Sequence, residues 1–145
     1  MKKLPIKITV IGLLAMMISA CGGSPAYEYR KARMIIDIDV PLGKTVAAVP
    51  TGLSVVFDSV EQDSRCQINA RCVWGGVGIV NATVINSAGE RKSIKLSTVN
   101  YETFNNVETA FGSDIELVDL LPKPVAGAKS EAAQKLIKLK IDRAL

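Results

Sequence analysis

The chain has no histidine, and that absence removes much of the usual repertoire of catalysis and metal binding. General acid–base and nucleophilic schemes most often rest on an imidazole. Zinc and copper sites built on two thiolates normally add one as well. Serine–lysine and paired-carboxylate chemistry need no histidine, but no such constellation stands out, so the chain reads as a non-enzyme with no cofactor and no metal. Aromatic residues are scarce, at 5% with a single tryptophan, Trp74. Cysteine occurs only at Cys21, Cys66 and Cys72. No apolar run reaches the ~20 residues that a helix needs to cross about 30 Å of hydrocarbon.

The longest uncharged apolar stretch, ITVIGLLAMMISA from Ile8 to Ala20, follows Lys2, Lys3 and Lys7. A basic start, a short apolar core and small residues at its end are the parts of a secretory signal peptide. Its last positions, Ile18-Ser19-Ala20-Cys21, resemble the lipobox of bacterial lipoproteins. That resemblance implies cleavage after residue 20 and a diacylglyceryl group on the Cys21 thiol. One acyl chain binds a membrane only marginally, at ~0.8 kcal/mol per buried CH₂, whereas two or three anchor stably. The plainer alternative is an ordinary signal peptide that happens to precede a cysteine. Gly22-Gly23-Ser24-Pro25, a flexible tether of the kind lipoproteins carry, favours lipidation. In that family Asp beside the lipidated cysteine favours inner-membrane retention, and Gly22 does not. The expected location is the bacterial cell envelope, at the outer membrane facing the periplasm where two membranes exist.

Cleavage also changes the charge. The formal +4 includes Lys2, Lys3 and Lys7, so residues 21–145 keep 15 Lys/Arg against 14 Asp/Glu, a net of +1. No electrostatic footprint for nucleic acid remains. What is left suits a short tether at 21–32 and one domain at 33–145. A domain of that size buries a core without metal or many disulfides. With Cys21 assigned to lipid, Cys66 and Cys72 remain as a pair in an oxidising compartment, where a disulfide is expected. A redox pair is the alternative, but the spacer is five residues rather than two. Closing so short a loop corresponds to about 2–2.5 kcal/mol.

Along the domain the recurring signal is alternation with period two. Met34, Ile36, Ile38 and Val40 share one face of a strand, and Asp37 and Asp39 the other. Their bland reading is a solvated outer face. Pro41–Lys44 and Pro50–Gly52 are turns around a short strand at Thr45–Val49. Leu53–Glu61 is the next strand, Val77–Asn86 an uncharged, β-branched and therefore central one. Ser87–Glu90 turns into Arg91–Val99, and Asp114–Leu121 alternates again before Pro122-Lys123-Pro124. Asn100–Gly112 is polar, a loop with one short strand at most. In the tail, Glu131–Gln134 favours a helix, whereas Ile137–Asp142 alternates strictly and reads as a strand. About seven strands without helix–strand alternation predict an all-β, antiparallel sandwich or barrel-like domain.

Asp63-Ser64-Arg65-Cys66 followed by Cys72-Val73-Trp74-Gly75-Gly76 is the most distinctive stretch. It resembles the DSRCP…C-x-W-x-G pattern of uncharacterised bacterial secreted and lipoprotein domains, in which a strand lies on either side. The paired prolines after Leu120-Leu121 resemble that family's strand end too, and the resemblance covers Leu53–Pro124. Gln67 stands where the family usually has proline, which loosens the loop. The resemblance implies the fold and the disulfide, and no activity.

Two readings of this stretch compete. In the architectural one, Asp63 and Ser64 form a turn, the disulfide pins a crossover, and Trp74 plugs one end of the sandwich. Gly75, Gly76 and Gly78 then permit close approach or positive φ. In the functional one, Trp74 with Arg65 and Arg71 forms an exposed patch for an envelope protein, since Trp and Arg are enriched at binding hot spots. A variant of the second makes Gln67–Arg71 an inhibitor loop for an envelope protease, presented with little entropy to lose. Gly75-Gly76-Val77-Gly78 precedes a strand rather than a helix, so it is not a phosphate loop. Asp58, Glu61 and Asp63 are too loosely spaced for calcium.

Overall fold

The computed structural model describes residues 32–127 and 134–145. The expected signal segment, Cys21, the expected tether up to residue 31 and the helix-favouring Glu131–Ala133 lie outside them. Among the described residues the domain is all-β, with eight strands: β1 (Arg33–Pro41), β2 (Thr45–Ala48), β3 (Leu53–Asp63), β4 (Gly78–Ile85), β5 (Arg91–Ser97), β6 (Val107–Ala110), β7 (Ser113–Leu121) and β8 (Leu136–Ala144). The strand at the tail is β8. The short strand within Asn100–Gly112 is β6.

Two four-stranded antiparallel sheets face each other, in the orders β1-β8-β7-β6 and β2-β3-β4-β5. β1 also lies against β2, and β5 against β6, so neighbours around the molecule follow chain order. The result is a flattened, barrel-like sandwich with two seams. Lys92 Nζ crosses one seam to donate to the Thr109 carbonyl at 2.7 Å.

Alternation explains which side chains are buried. Phe57 and Val55 from β3, Val80 and Val84 from β4, Ile115 and Leu120 from β7, and Ile137, Leu139 and Ile141 from β8 form the core. Asp37 and Asp39 project outward from β1, with Lys140 and Lys138 opposite them on β8. Three bulges reset the alternation, leaving Asp58, Glu61 and Val118 as extra residues. The last of these delivers Leu120, rather than Leu121, to the interior.

The strand registers define two ends. At the proximal end Arg33 is opposite Ala144, and the Leu145 N–H donates to the Ala32 carbonyl at 2.9 Å. At the distal end Asp63 is opposite Gly78, and Leu121 opposite Leu136. The cysteine-containing segment joins β3 to β4 at this distal end.

Candidate functional site

Beyond β3 and before β4 the chain continues as a narrow, hydrogen-bonded pair of segments. The Ser64 N–H donates to Val77 O at 2.8 Å and the Cys66 N–H to Gly75 O at 2.7 Å. The Ser64 hydroxyl also accepts from the Val77 N–H at 3.3 Å. Gly76 makes this pairing possible, because its φ is +69° and a Cβ there would sit 1.9 Å from Ser64 O. Val77, at the base of the segment, is fully buried, although it stands apart from the core cluster between the sheets.

Arg65 folds back over that end. Nε and Nη2 donate to the two Asp63 carboxylate oxygens at 2.7 and 2.9 Å. Nη2 also donates to Pro122 O at 3.0 Å, and Nη1 to Leu120 O. The guanidinium thus ties the end of β3 to the end of β7, across the two sheets. The Arg65 side chain is only 10% exposed and belongs to no surface patch, contrary to its proposed place beside Trp74. The reason is geometric: a planar fork satisfies one carboxylate and two carbonyls at once. The same hydrogen bonds, and then the charge itself, hold the Asp63 carboxyl below the usual carboxylate range.

Cys66 and Cys72 lie at disulfide distance, with Sγ–Sγ 2.01 Å and Cα–Cα 5.9 Å. The enclosed loop is fastened on its other side to the segment after β7. The Ile68 N–H donates to Pro124 O at 3.0 Å, and Asn69 Oδ1 accepts from the Ala126 N–H at 2.7 Å. Within the loop the Ala70 N–H donates to Gln67 O at 3.0 Å, closing a turn. Removing the crosslink with Cys66→Ala/Cys72→Ala is expected to lower stability by about 2.4 kcal/mol, from loop-closure entropy alone. A urea titration checks it, and a loss below about 1 kcal/mol would show that the hydrogen bonds alone hold the loop.

Trp74 is 60% exposed, so it does not plug the sandwich as the architectural reading requires. Val73 beside it is fully exposed, and Ile68 on the loop is 68% exposed. Arg71 is exposed and takes part in none of the ion pairs among the described residues. Ile68 and Val73 were not singled out by the sequence reading. Their signal is two β-branched apolar residues close to the cysteines, in a stretch that also carries Asn69, Gly75 and Gly76. Tyr101, exposed in the loop after β5, adds a further aromatic at the distal end.

The other candidates are consumed internally. Asp58 accepts from the Thr83 hydroxyl at 2.7 Å, Glu61 pairs with Lys95 at 2.8 Å, and Asp63 holds Arg65. The three carboxylates therefore do not converge. A depression of about 290 Å³ beside β5 and β6 is lined by Glu61, Lys95, Phe104 and Glu108, among others. Compared with protein families, curated proteins and solved structures, the chain has no match.

Proposed function

We propose that the protein is a lipid-anchored, non-enzymatic binding module of the bacterial envelope, and that it contacts an envelope protein through the Cys66–Cys72 loop with Trp74 and Arg71. One observation carries this reading: Ile68, Val73 and Trp74 stay exposed on a segment that is closed by a disulfide and fastened on both sides. Apolar groups left in water on a stiff scaffold are costly unless a partner covers them. A rigid loop loses little entropy on binding, and Trp and Arg supply the largest share of interface energy. The lipobox-like Ile18–Cys21 supports the anchor, and Gly22 supports an outer-membrane location facing the periplasm.

Inhibition of an envelope protease is the alternative. The Gln67–Ala70 turn weighs against it, since segments that pair with a cleft as an added strand are extended, and this one is closed on itself. The test is photo-crosslinking in membranes with the probe at Gln67 or Arg71. A single discrete protein adduct is expected, and Trp74→Ala should abolish it while moving stability by less than about 0.5 kcal/mol. An adduct with a protease whose inhibition is lost in Arg71→Ala would favour the alternative. No adduct from the loop, with adducts from probes elsewhere, would reduce the segment to a structural staple.

A further inference from the structure

The exposed loop and the point where the tether joins the domain lie at opposite ends of the sandwich. Ala32 and Arg33 are at the proximal end, beside Ala144 and Leu145. Asp63, Gly78 and Pro122 close the distal end, from which the Cys66–Cys72 loop projects. The nine residues of β1, at ~3.3 Å each, separate the two ends by about 25–30 Å.

Eleven residues, 22–32, separate Cys21 from β1. Fully extended, a chain of that length reaches at most ~40 Å. To dip Trp74 into the anchoring bilayer, the domain would have to invert and draw the tether out over the full length of the sandwich. Contact of the proximal end with the membrane needs almost none of that reach, which favours a loop that faces away from it.

We infer that the Trp74 loop is presented away from the anchoring membrane and that its occupant is a protein, with an apolar pocket for Val73 and Trp74 beside a carboxylate for Arg71. This rests on the lipid-anchored reading above. Arg65 cannot supply the charge, because its guanidinium is spent on Asp63, Leu120 and Pro122. Arg71 is the cation left in the segment.

Trp74 is the only tryptophan in the chain, so its emission reports this loop alone. Full-length lipidated protein is reconstituted into phosphatidylethanolamine–phosphatidylglycerol vesicles, with or without brominated acyl chains. The expected emission is the same in both, and acrylamide quenches it from the aqueous side. Quenching by the brominated chains, with a blue shift, would mean that the loop inserts into the bilayer and would overturn the inference alone. A photoreactive residue at Val73 in intact cells supplies the second readout. A protein adduct that Arg71→Glu removes is expected; a lipid adduct, or one indifferent to Arg71→Glu, overturns the inference. Failure of the anchor has its own signature: no labelled palmitate enters the protein and it stays out of the vesicles, which overturns both readings together.

Discussion

Gly76→Ala is expected to destabilise the domain by about 3–4 kcal/mol, more than loss of the disulfide. Two separate costs add at this position. A left-handed backbone costs a residue with a Cβ about 1–2 kcal/mol, and Gly76 has φ +69°. The new Cβ would also lie 1.9 Å from Ser64 O and 2.8 Å from Arg65 Cα. Both are main-chain atoms, so no rotamer relieves the overlap. The two segments must part, with loss of the Ser64–Val77 and Cys66–Gly75 hydrogen bonds, each of about 1 kcal/mol net. Gly89→Ala isolates the first cost, since Gly89 has φ +82° with nothing within 4 Å of the added Cβ. It should lose only about 1 kcal/mol. Circular dichroism during urea unfolding measures both variants. Equal losses would mean that the close approach at Gly76 contributes nothing.

The strands that alternate cleanly were legible from the residues alone. β1 buries the side predicted for it, with Ile36, Ile38 and Val40 inward and Asp37 and Asp39 outward. β8 was legible for the same reason, despite a helix-favouring segment before it. What alternation cannot supply is the bulge, because one extra residue reverses the pattern partway along a strand. β7 shows it: Ile115 and Leu117 point inward, Val118 is the extra residue, and Leu120 returns to the core. β6 hid for a second reason. Its inward side carries Glu108 and Ala110 while Val107 lies exposed, the inverse of an ordinary strand. The turn that follows adopts positive φ at Phe111 and Gly112, where Asn-Gly would have announced a hairpin.

The site divides along the same line between local and distant information. The disulfide and the conformational demand at Gly76 arise from residues close in sequence, and both were readable; the turn expected at Asp63 and Ser64 is instead strand-like, because Asp63 pairs with Gly78 and Ser64 with Val77. Arg65 was not readable, because the carbonyls it holds lie 55 and 57 positions further along the chain. Trp74 was open to both readings for a related reason. A sole tryptophan beside a disulfide suits a buried plug as well as an exposed contact, and its 60% exposure appears only in the folded chain. The apolar residues left outside are thus a product of the fold rather than of composition.

Arg65→Ala is expected to cost about 3 kcal/mol, at the lower end for a broken, poorly solvated ion pair. The lower end applies because the Asp63 side chain is 22% exposed and water partly replaces the lost donor. The carbonyls of Leu120 and Pro122 lose their donors as well, and with them the tie between β3 and β7. Arg65→Lys should recover less than half of the loss, since a point charge cannot fork between a carboxylate and two carbonyls. Urea midpoints at an unchanged slope measure both substitutions. If Arg65→Lys matches the native protein, charge alone does the work and the bidentate geometry is incidental. The pH dependence supplies an independent check. Arg65 holds the Asp63 carboxyl below its ordinary value in the folded protein. The pair's stabilisation is therefore complete above the unfolded value, near pH 4, and is lost as pH falls through the lower folded value. Asp63→Asn should flatten that acid limb while lowering stability at neutral pH. The double variant Asp63→Ala/Arg65→Ala should lose less than the two single losses together, because it leaves no orphaned charge behind. Strict additivity would mean that the two residues act separately, and the brace would then be only Arg65 with its carbonyls.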